Sequence, residues 1–289
     1  MNQALAHLWA KTSKDGQDRW HPLILHMLDV SATADAILAR EPQVTRERMA
    51  AILGLNWEAA RPWLLFVVAC HDLGKACPGF QCKWRSMVEL QLPRSPNTDI
   101  NHAFVSQIEL SSWLQGQGWH AELADLVADA VGCHHGERAA PTILDPLMGD
   151  RRAMGSAAWG EARRELIEAL MEVLDPTITP TKGSLSGPDF MLLYGLTSFA
   201  DWIGSNEDWF KFGNSDNCRD LKGWFQDRRA CADRALHGIG WEPRTPLAQE
   251  TKSFTNVFGF APRPLQQAVE EALTEVKTPR DSAAGSTHG

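Results

Sequence analysis

Along the 289 residues, apolar positions recur at helical spacing far more often than in alternation. The stretch HPLILHMLDVSATADAILAR, residues 21–40, sets Leu25, Leu28, Ala32, Ala36 and Ala39 at helical spacing, with Pro22 in a first turn that tolerates it. RPWLLFVVACHDLGK, residues 61–75, opens on Pro62, runs apolar and meets Gly74 as a stop. Val67-Val68 alone would suit a strand, but the length of the run favours a buried helix. Further helices are expected over 102–115, 120–135, 157–174, 188–204 and 219–237. In one of these, DFMLLYGLTSFADWIG is apolar nearly all round, the mark of a central buried helix. Strand-like alternation and Asn-Gly hairpin turns are absent, so the fold class reads as all-α. Loops are expected at 76–101 and 175–188, where prolines cluster, and at 136–156.

The pattern changes near the end. Residues 1–245 read as one helical domain, and 246–289 as a linker and the start of something else. FTNVFGFAPRPLQQAVEEAL opens amphipathic, and TPRDSAAGSTHG trails off polar, as a disordered end would.

Composition removes some classes. No run reaches the roughly 18 apolar residues of a membrane span, and MNQALAHLWAKTSKDG is too polar for a signal peptide. A cytoplasmic protein with no membrane partner is expected. The six cysteines form no C-x2-C pair, which leaves reduced thiols rather than a structural zinc knuckle. A formal charge of −8 argues against broad coating of duplex DNA. It leaves room for a nucleic-acid substrate at a metal site, because bound ions supply positive charge locally.

The candidate chemistry lies in polar residues set into apolar runs. His71-Asp72 ends one such run, His26 sits within another, His102 follows Asn101 at a helix start, His134-His135 closes a third, and Asp201 interrupts LTSFADWIG. Each has an ordinary reading alone: a hydrogen-bonded core histidine, a helix-start residue, or a histidine pair gaining from a helix dipole. Asp201 is harder to place, since a carboxylate in so apolar a helix is costly unless paired or bound to a cation. Together they offer five imidazoles and two carboxylates, too many for one tetrahedral ion. Such ligands suit Mn, Fe, Co, Ni or Zn, whereas Mg prefers oxygen ligands, and two ions sharing Asp72 would use the whole set.

HDLGK (71–75) has the form H-D-x-G-K. With His26, His102, His134-His135 and the Asp201 of ADWIGS in that order, the chain resembles the N-terminal HD nuclease domain of the CRISPR-associated helicase-nuclease of type I systems, within the HD phosphohydrolase superfamily. LWAKTS, HPLILHMLDV and DLGKACPGFQ agree, and the resemblance spans about residues 5 to 240. It implies an HD-domain helical bundle with a buried dinuclear metal site. His26, His71, Asp72 and Asp201 would hold one ion, and Asp72, His102, His134 and His135 the other. Adjacent positions of a helix point about 100° apart, so His71 and Asp72 could face one ion and the space between two. A water activated by the ions would attack a phosphodiester of single-stranded DNA, and Lys75 would neutralise charge on the phosphate. Lys75 could instead be a solvated cation at a helix end, or point away because Gly74 turns the chain.

The resemblance also implies a role in antiviral defence, with the Cascade surveillance complex and a linked helicase as partners. FGFAPRPLQQAV resembles the lead-in to that helicase, but no G-x-x-x-x-G-K-[ST] follows, so ATP binding by that route is not expected and Gln266 would be idle. A nuclease domain separated or cut from its helicase is the expectation. The alternatives are an HD phosphohydrolase acting on nucleotides or cyclic dinucleotides, and a silent docking module. His7, His21, His120, His237 and His288 lack matching context, and Ser205 needs no function. Trp84, Trp202 and Trp209 could stack bases, although core packing suffices for most of the 12 tryptophans.

Overall fold

Every residue from Leu23 to Leu38 of the helix α2 (Leu23–Arg40) is buried, and three long helices of the same unit pack most extensively against it. The computed structural model describes residues 3–13, 19–84, 92–93, 100–150, 152–244 and 253–275. Before α2 come α1 (Gln3–His7) and an antiparallel pair, β1 (Trp9–Thr12) with β2 (Trp20–Pro22). After it follow α3 (Gln43–Ala51), α4 (Trp57–Ala69), α5 (Pro78–Gln81), α6 (His102–Gly116), α7 (Ala121–Gly132) and α8 (Pro141–Leu147). Then come α9 (Ala157–Leu174), α10 (Gly187–Gly204) and α11 (Leu221–Gly238). The chain divides into two compact units, Met1–Arg244 and Thr245–Gly289.

A helix buried on every side has to match its own polar side chains. In α2, Ser31 Oγ donates to the Leu65 carbonyl at 3.1 Å and Thr33 Oγ1 to the Asp29 carbonyl at 2.8 Å. Asp29 accepts from Trp224 Nε1 of α11 at 2.9 Å and faces His21 Nε2 at 2.8 Å. Asp35 is clamped by Arg61 of α4 at 2.6 Å and Arg229 of α11 at 2.7 Å. These pairs let α2, rather than the more apolar α10, occupy the centre. The expectation for α10 is corrected: Met191, Leu192 and Trp202 on it are 58%, 38% and 79% exposed.

Other boundaries move for local reasons. The Asn56 side chain accepts from the Ala59 N–H at 3.0 Å, so α4 begins at Trp57 and Pro62 lies inside it. Pro22 belongs to β2 and precedes α2. The short hairpin carries no readable alternation; it is held by Leu23 N–H to the Leu8 carbonyl at 2.7 Å and by the Gln81 side chain on Trp9. Two expected loops hold short helices, α5 and α8, both starting at proline. α9 spans 157–174 as expected, and α10 opens with a capping box between Ser186 and Asp189. All six cysteines are free, and no described helix is long and apolar enough to cross a membrane.

In the second unit, α12 (Phe254–Phe258) is capped by Ser253 and α13 (Pro264–Glu275) follows. Gln266, expected to be idle, accepts from the Arg263 N–H at 2.9 Å. The TPRDSAAGSTHG tail lies outside the described residues.

Candidate metal centre

Two helices end in the same way. α4 tightens into a 3₁₀ turn over Cys70–Lys75, and α7 into another over Cys133–His135. In each, a histidine folds back on the last turn: His71 Nδ1 lies 3.0 Å from the Val68 carbonyl, and His134 Nδ1 lies 3.0 Å from the Val131 carbonyl. A carbonyl only accepts, so Nδ1 carries the proton and Nε2 presents a lone pair inward. The opening carbonyls of the helix end are satisfied by the same bond. The 100° spacing expected of an α-helix is replaced by the roughly 120° of a 3₁₀ turn, which eclipses residues three apart. Lys75 therefore stands over Asp72, with Nζ 2.6 Å from Oδ2.

Asp72 is the hub. Its Oδ2 faces His26 Nε2 at 3.0 Å and His71 Nε2 at 3.3 Å. Its Oδ1 faces His102 Nε2, from the start of α6, at 3.1 Å and His134 Nε2 at 3.7 Å. Asp201 of α10 joins the first side, with Oδ1 3.7 Å from His26 Nε2 and 3.5 Å from His71 Nε2. His135 joins the second, with Nε2 3.1 Å from His102 Nε2. The seven residues thus form two groups, His26/His71/Asp201 and His102/His134/His135, each with ligand atoms within 4.8 Å of one another. One oxygen of Asp72 faces each group.

The atoms within these groups are not satisfied by the protein alone. His26 Nδ1 and Nε2, His71 Nε2, Asp72 Oδ1 and His134 Nε2 are buried without a hydrogen bond. Unpaired polar atoms in so tight a core are costly, and imidazole nitrogens converging with carboxylates match the donors of a divalent transition metal. The residues present fit such ions.

Electrostatics favours the ligand form of three imidazoles and of both carboxylates, and opposes it at His71. Burial, and then the Lys11 charge, push His26 well below its usual range; burial takes His134 down to about 3 and also lowers His102. Neutral imidazole is the form that binds metal. Burial opposes protonation of His71 too, but Asp72 and Asp201 outweigh it and hold that imidazole at about 9. Burial alone would raise both carboxyl groups. Lys75 and His71 hold Asp72, and His71 holds Asp201, well below the ordinary carboxylate range.

The structure brings all seven expected ligands together and places Lys75 beside them. Lys75 is buried, so the solvated-cation alternative is removed; Nζ also lies 3.4 Å from the Ala10 carbonyl and 5.3 Å from the centre of the Phe80 ring. Ser205 Oγ donates to Asp201 Oδ1 at 2.6 Å and orients that carboxylate. His21 is a buried structural residue: besides Asp29, its Nδ1 accepts from the Gly213 N–H at 3.0 Å. His7, His120 and His237 stand outside the two groups, and His288 lies outside the described residues. Trp202 is exposed beside Asp201, whereas Trp84 packs edge-on against Trp9 at 5.8 Å and Trp209 is half-buried. Two contributors were not foreseen. Gln81 ties β1 to the His-Asp turn, and Lys11 of β1 acts electrostatically on Asp201 and Asp72. Only LWAKTS hinted at the lysine.

A helical domain in which a His-Asp pair on a 3₁₀ turn gathers four further histidines and a second aspartate from separate helices is an HD-type metal domain. The family model described as Cas3, HD domain matches residues 9–210, and the chain belongs to that family. It is similar to the CRISPR-associated endonuclease/helicase Cas3 of Thermus thermophilus, 33% identical over 290 residues, covering 96% of this chain and 30% of the relative. The namesake from Escherichia coli is 29% identical over 335 residues, covering 98% and 36%. The chain thus spans about a third of the length of these relatives. The solved Thermus thermophilus Cas3 HD domain, crystallised in the presence of Ni2+, superposes with a TM-score of 0.63 at 31% identity, covering 83% of this chain and 92% of that one.

Proposed function

We propose that this chain is a metal-dependent nuclease that hydrolyses phosphodiester bonds of single-stranded DNA in type I CRISPR interference. The observation that carries the reading is the division of the Asp72 carboxylate between two ligand groups. His26, His71 and Asp201 would hold one divalent ion, His102, His134 and His135 the other, and Asp72 both. Two such ions, when bound, acidify a water and polarise a phosphate. Manganese, iron, cobalt or nickel suits the imidazole-rich donors better than magnesium, and the nickel-treated Thermus relative agrees.

The protein's own residues do the rest. The 3₁₀ turns fix the ligand nitrogens through their Nδ1–H bonds, and Ser205 holds Asp201 in place. Lys75 neutralises Asp72 and is poised to turn toward a phosphate as charge builds on it. Charge also favours an anionic substrate: Asp72 and Asp201 are balanced by Lys75 and Lys11, so every added ion leaves the centre positive. The centre opens on one side, where His135 is exposed and His102 half-buried, as access for a polymer requires. We take residues 1–245 as the nuclease domain and 246–289 as the approach to a helicase, with Cascade as the complex that delivers the strand.

The test is cleavage of circular single-stranded DNA by metal-stripped protein given Mn, Co, Ni, Zn or Mg in turn, with Asp72→Ala alongside. Cutting restored by a transition metal and reduced more than about 100-fold by Asp72→Ala is the expected result. Hydrolysis of nucleotides or cyclic dinucleotides without cutting would replace the nuclease reading, and silence on all substrates would leave a docking module.

A further inference from the structure

Several other buried or half-buried cations described in this domain have anionic partners. Lys75 rests on Asp72, Arg163 on Glu109 at 2.8 Å, and Lys182 on Asp189 at 2.7 Å. Lys11 differs. It is half-buried on β1, and among the described residues its side chain makes no hydrogen bond or ion pair. Its direction follows from the hairpin register. The register is irregular between Trp9 and Lys11, but Lys11 itself pairs directly with His21 across the antiparallel strands, and directly paired residues project from the same face. The His21 ring lies 6.3 Å from the ring of the ligand His26. Lys11 thus projects toward the first ligand group, and its charge acts on His26, Asp201 and Asp72.

The strand is held there firmly. Gln81 Nε2 donates to the carbonyls of Trp9 and Lys75, both at 2.9 Å, while Gln81 Oε1 accepts from the Trp9 N–H at 3.2 Å. The Lys75 ammonium in turn reaches the carbonyl of Ala10, the residue before Lys11. One buried amide therefore ties Trp9, two residues before Lys11, to the turn that carries His71, Asp72 and Lys75.

We propose that Lys11 is a substrate-binding residue, whose ammonium takes a non-bridging oxygen of a phosphate in the strand being cut. The assignment rests on the nuclease reading above and adds a residue outside the H-D-x-G-K set. A desolvated ammonium beside a centre that metals make positive is unfavourable until an anion arrives. The cost is visible in the free protein, where burial lowers Lys11 to about 8 despite the pull of Asp201. A phosphodiester supplies the missing charge. Lys75 has to leave Asp72 to reach a phosphate, whereas the Lys11 side chain has no such ion pair to break.

The experiment measures KM and kcat of metal-loaded wild type, Lys11→Met and Lys11→Arg on a short labelled single strand at several salt concentrations. Metal content and Tm are determined for each, and Lys222→Met, a change on the exposed face of α11, serves as the control. Lys11→Met should raise KM about 10-fold or more, keep the wild-type metal content, and flatten the slope of log KM against log salt by about 0.7. Lys11→Arg should restore most of the affinity. Unchanged KM and slope in Lys11→Met would overturn the assignment, and so would loss of bound metal with the affinity. If wild type itself fails to cut single strands, the nuclease reading falls and the assignment with it, an outcome distinct from failure of Lys11 alone.

Discussion

The glycine of H-D-x-G-K offers the sharpest test of how the centre is assembled. Gly74 does not adopt a positive φ, so conformational freedom is not the reason for it. The reason is close approach. A Cβ built on Gly74 would fall 1.9 Å from the carbonyl oxygen of His102, 2.5 Å from the Ser106 nitrogen and 2.8 Å from Val105 Cβ. Ordinary contact begins at 3.4 Å, so Gly74→Ala has to part the His-Asp turn from the first turn of α6 by about 1.5 Å. The obstructing atoms are backbone, which cannot swing away as a side chain would. The bond from Gly74 N–H to Ser106 Oγ, 2.7 Å long, would go with the shift. His102 belongs to the segment displaced, and metal–ligand distances tolerate only about 0.2 Å of error. Overpacking of this kind costs about 1–3 kcal/mol, which for a domain of this size lowers Tm by about 2–12 °C. Two readings of purified protein decide it: the melting temperature of metal-stripped samples, and nickel stoichiometry by calorimetry. The expected variant melts earlier and, if wild type takes up two nickel ions, loses the one expected at His102, His134 and His135, while the His26, His71 and Asp201 group still binds. A Gly74→Ala protein with wild-type Tm and stoichiometry would refute the close-approach argument.

Two further outcomes concern the frame around the centre. Burial alone would raise the Asp189 carboxyl, but the Lys182 ammonium and Ser186, with Arg48, hold it below its usual value. Because its folded value is depressed, the stability it lends to α10 is present above the ordinary aspartate range and is lost as pH falls through the folded value. Asp189→Asn should therefore cost about 1–3 kcal/mol near neutrality, with the gap to wild type closing in acid; an equal gap at both pH values, read by urea denaturation, would contradict this. Asp29→Ala strips the buried partner from His21 and Trp224 at once and should cost about 3–5 kcal/mol, visible as a lowered urea midpoint. A loss below about 1 kcal/mol would mean that water replaces the carboxylate.

The candidate ligands were legible as a group because burial of a charged or polar side chain is conspicuous in an apolar run. His26, His71, Asp72, His134 and Asp201 each interrupt hydrophobic sequence, and each is drawn into the centre. What was not legible depends on partners far along the chain. The central place of α2 was not read, since nothing near Asp29 or Asp35 announces that Trp224 will donate to the one and Arg229 pair with the other, nearly 200 residues away. α10 looked central because its outward apolar side chains resemble inward ones until the fold assigns a side. The hairpin is too short for alternation to register, and its anchor, Gln81, lies 72 residues from Trp9. Lys11 was hidden for the same reason: a lysine near a chain start reads as solvated until β1 is laid across the His-Asp turn. Even Gly74, which was read as a helix stop, takes its meaning from a backbone carbonyl on another helix. Residues that bind ions advertise themselves by their chemistry, whereas residues that bring the ion-binding segments together do so through shape, and shape is a property of pairs of segments that a single run of sequence does not contain.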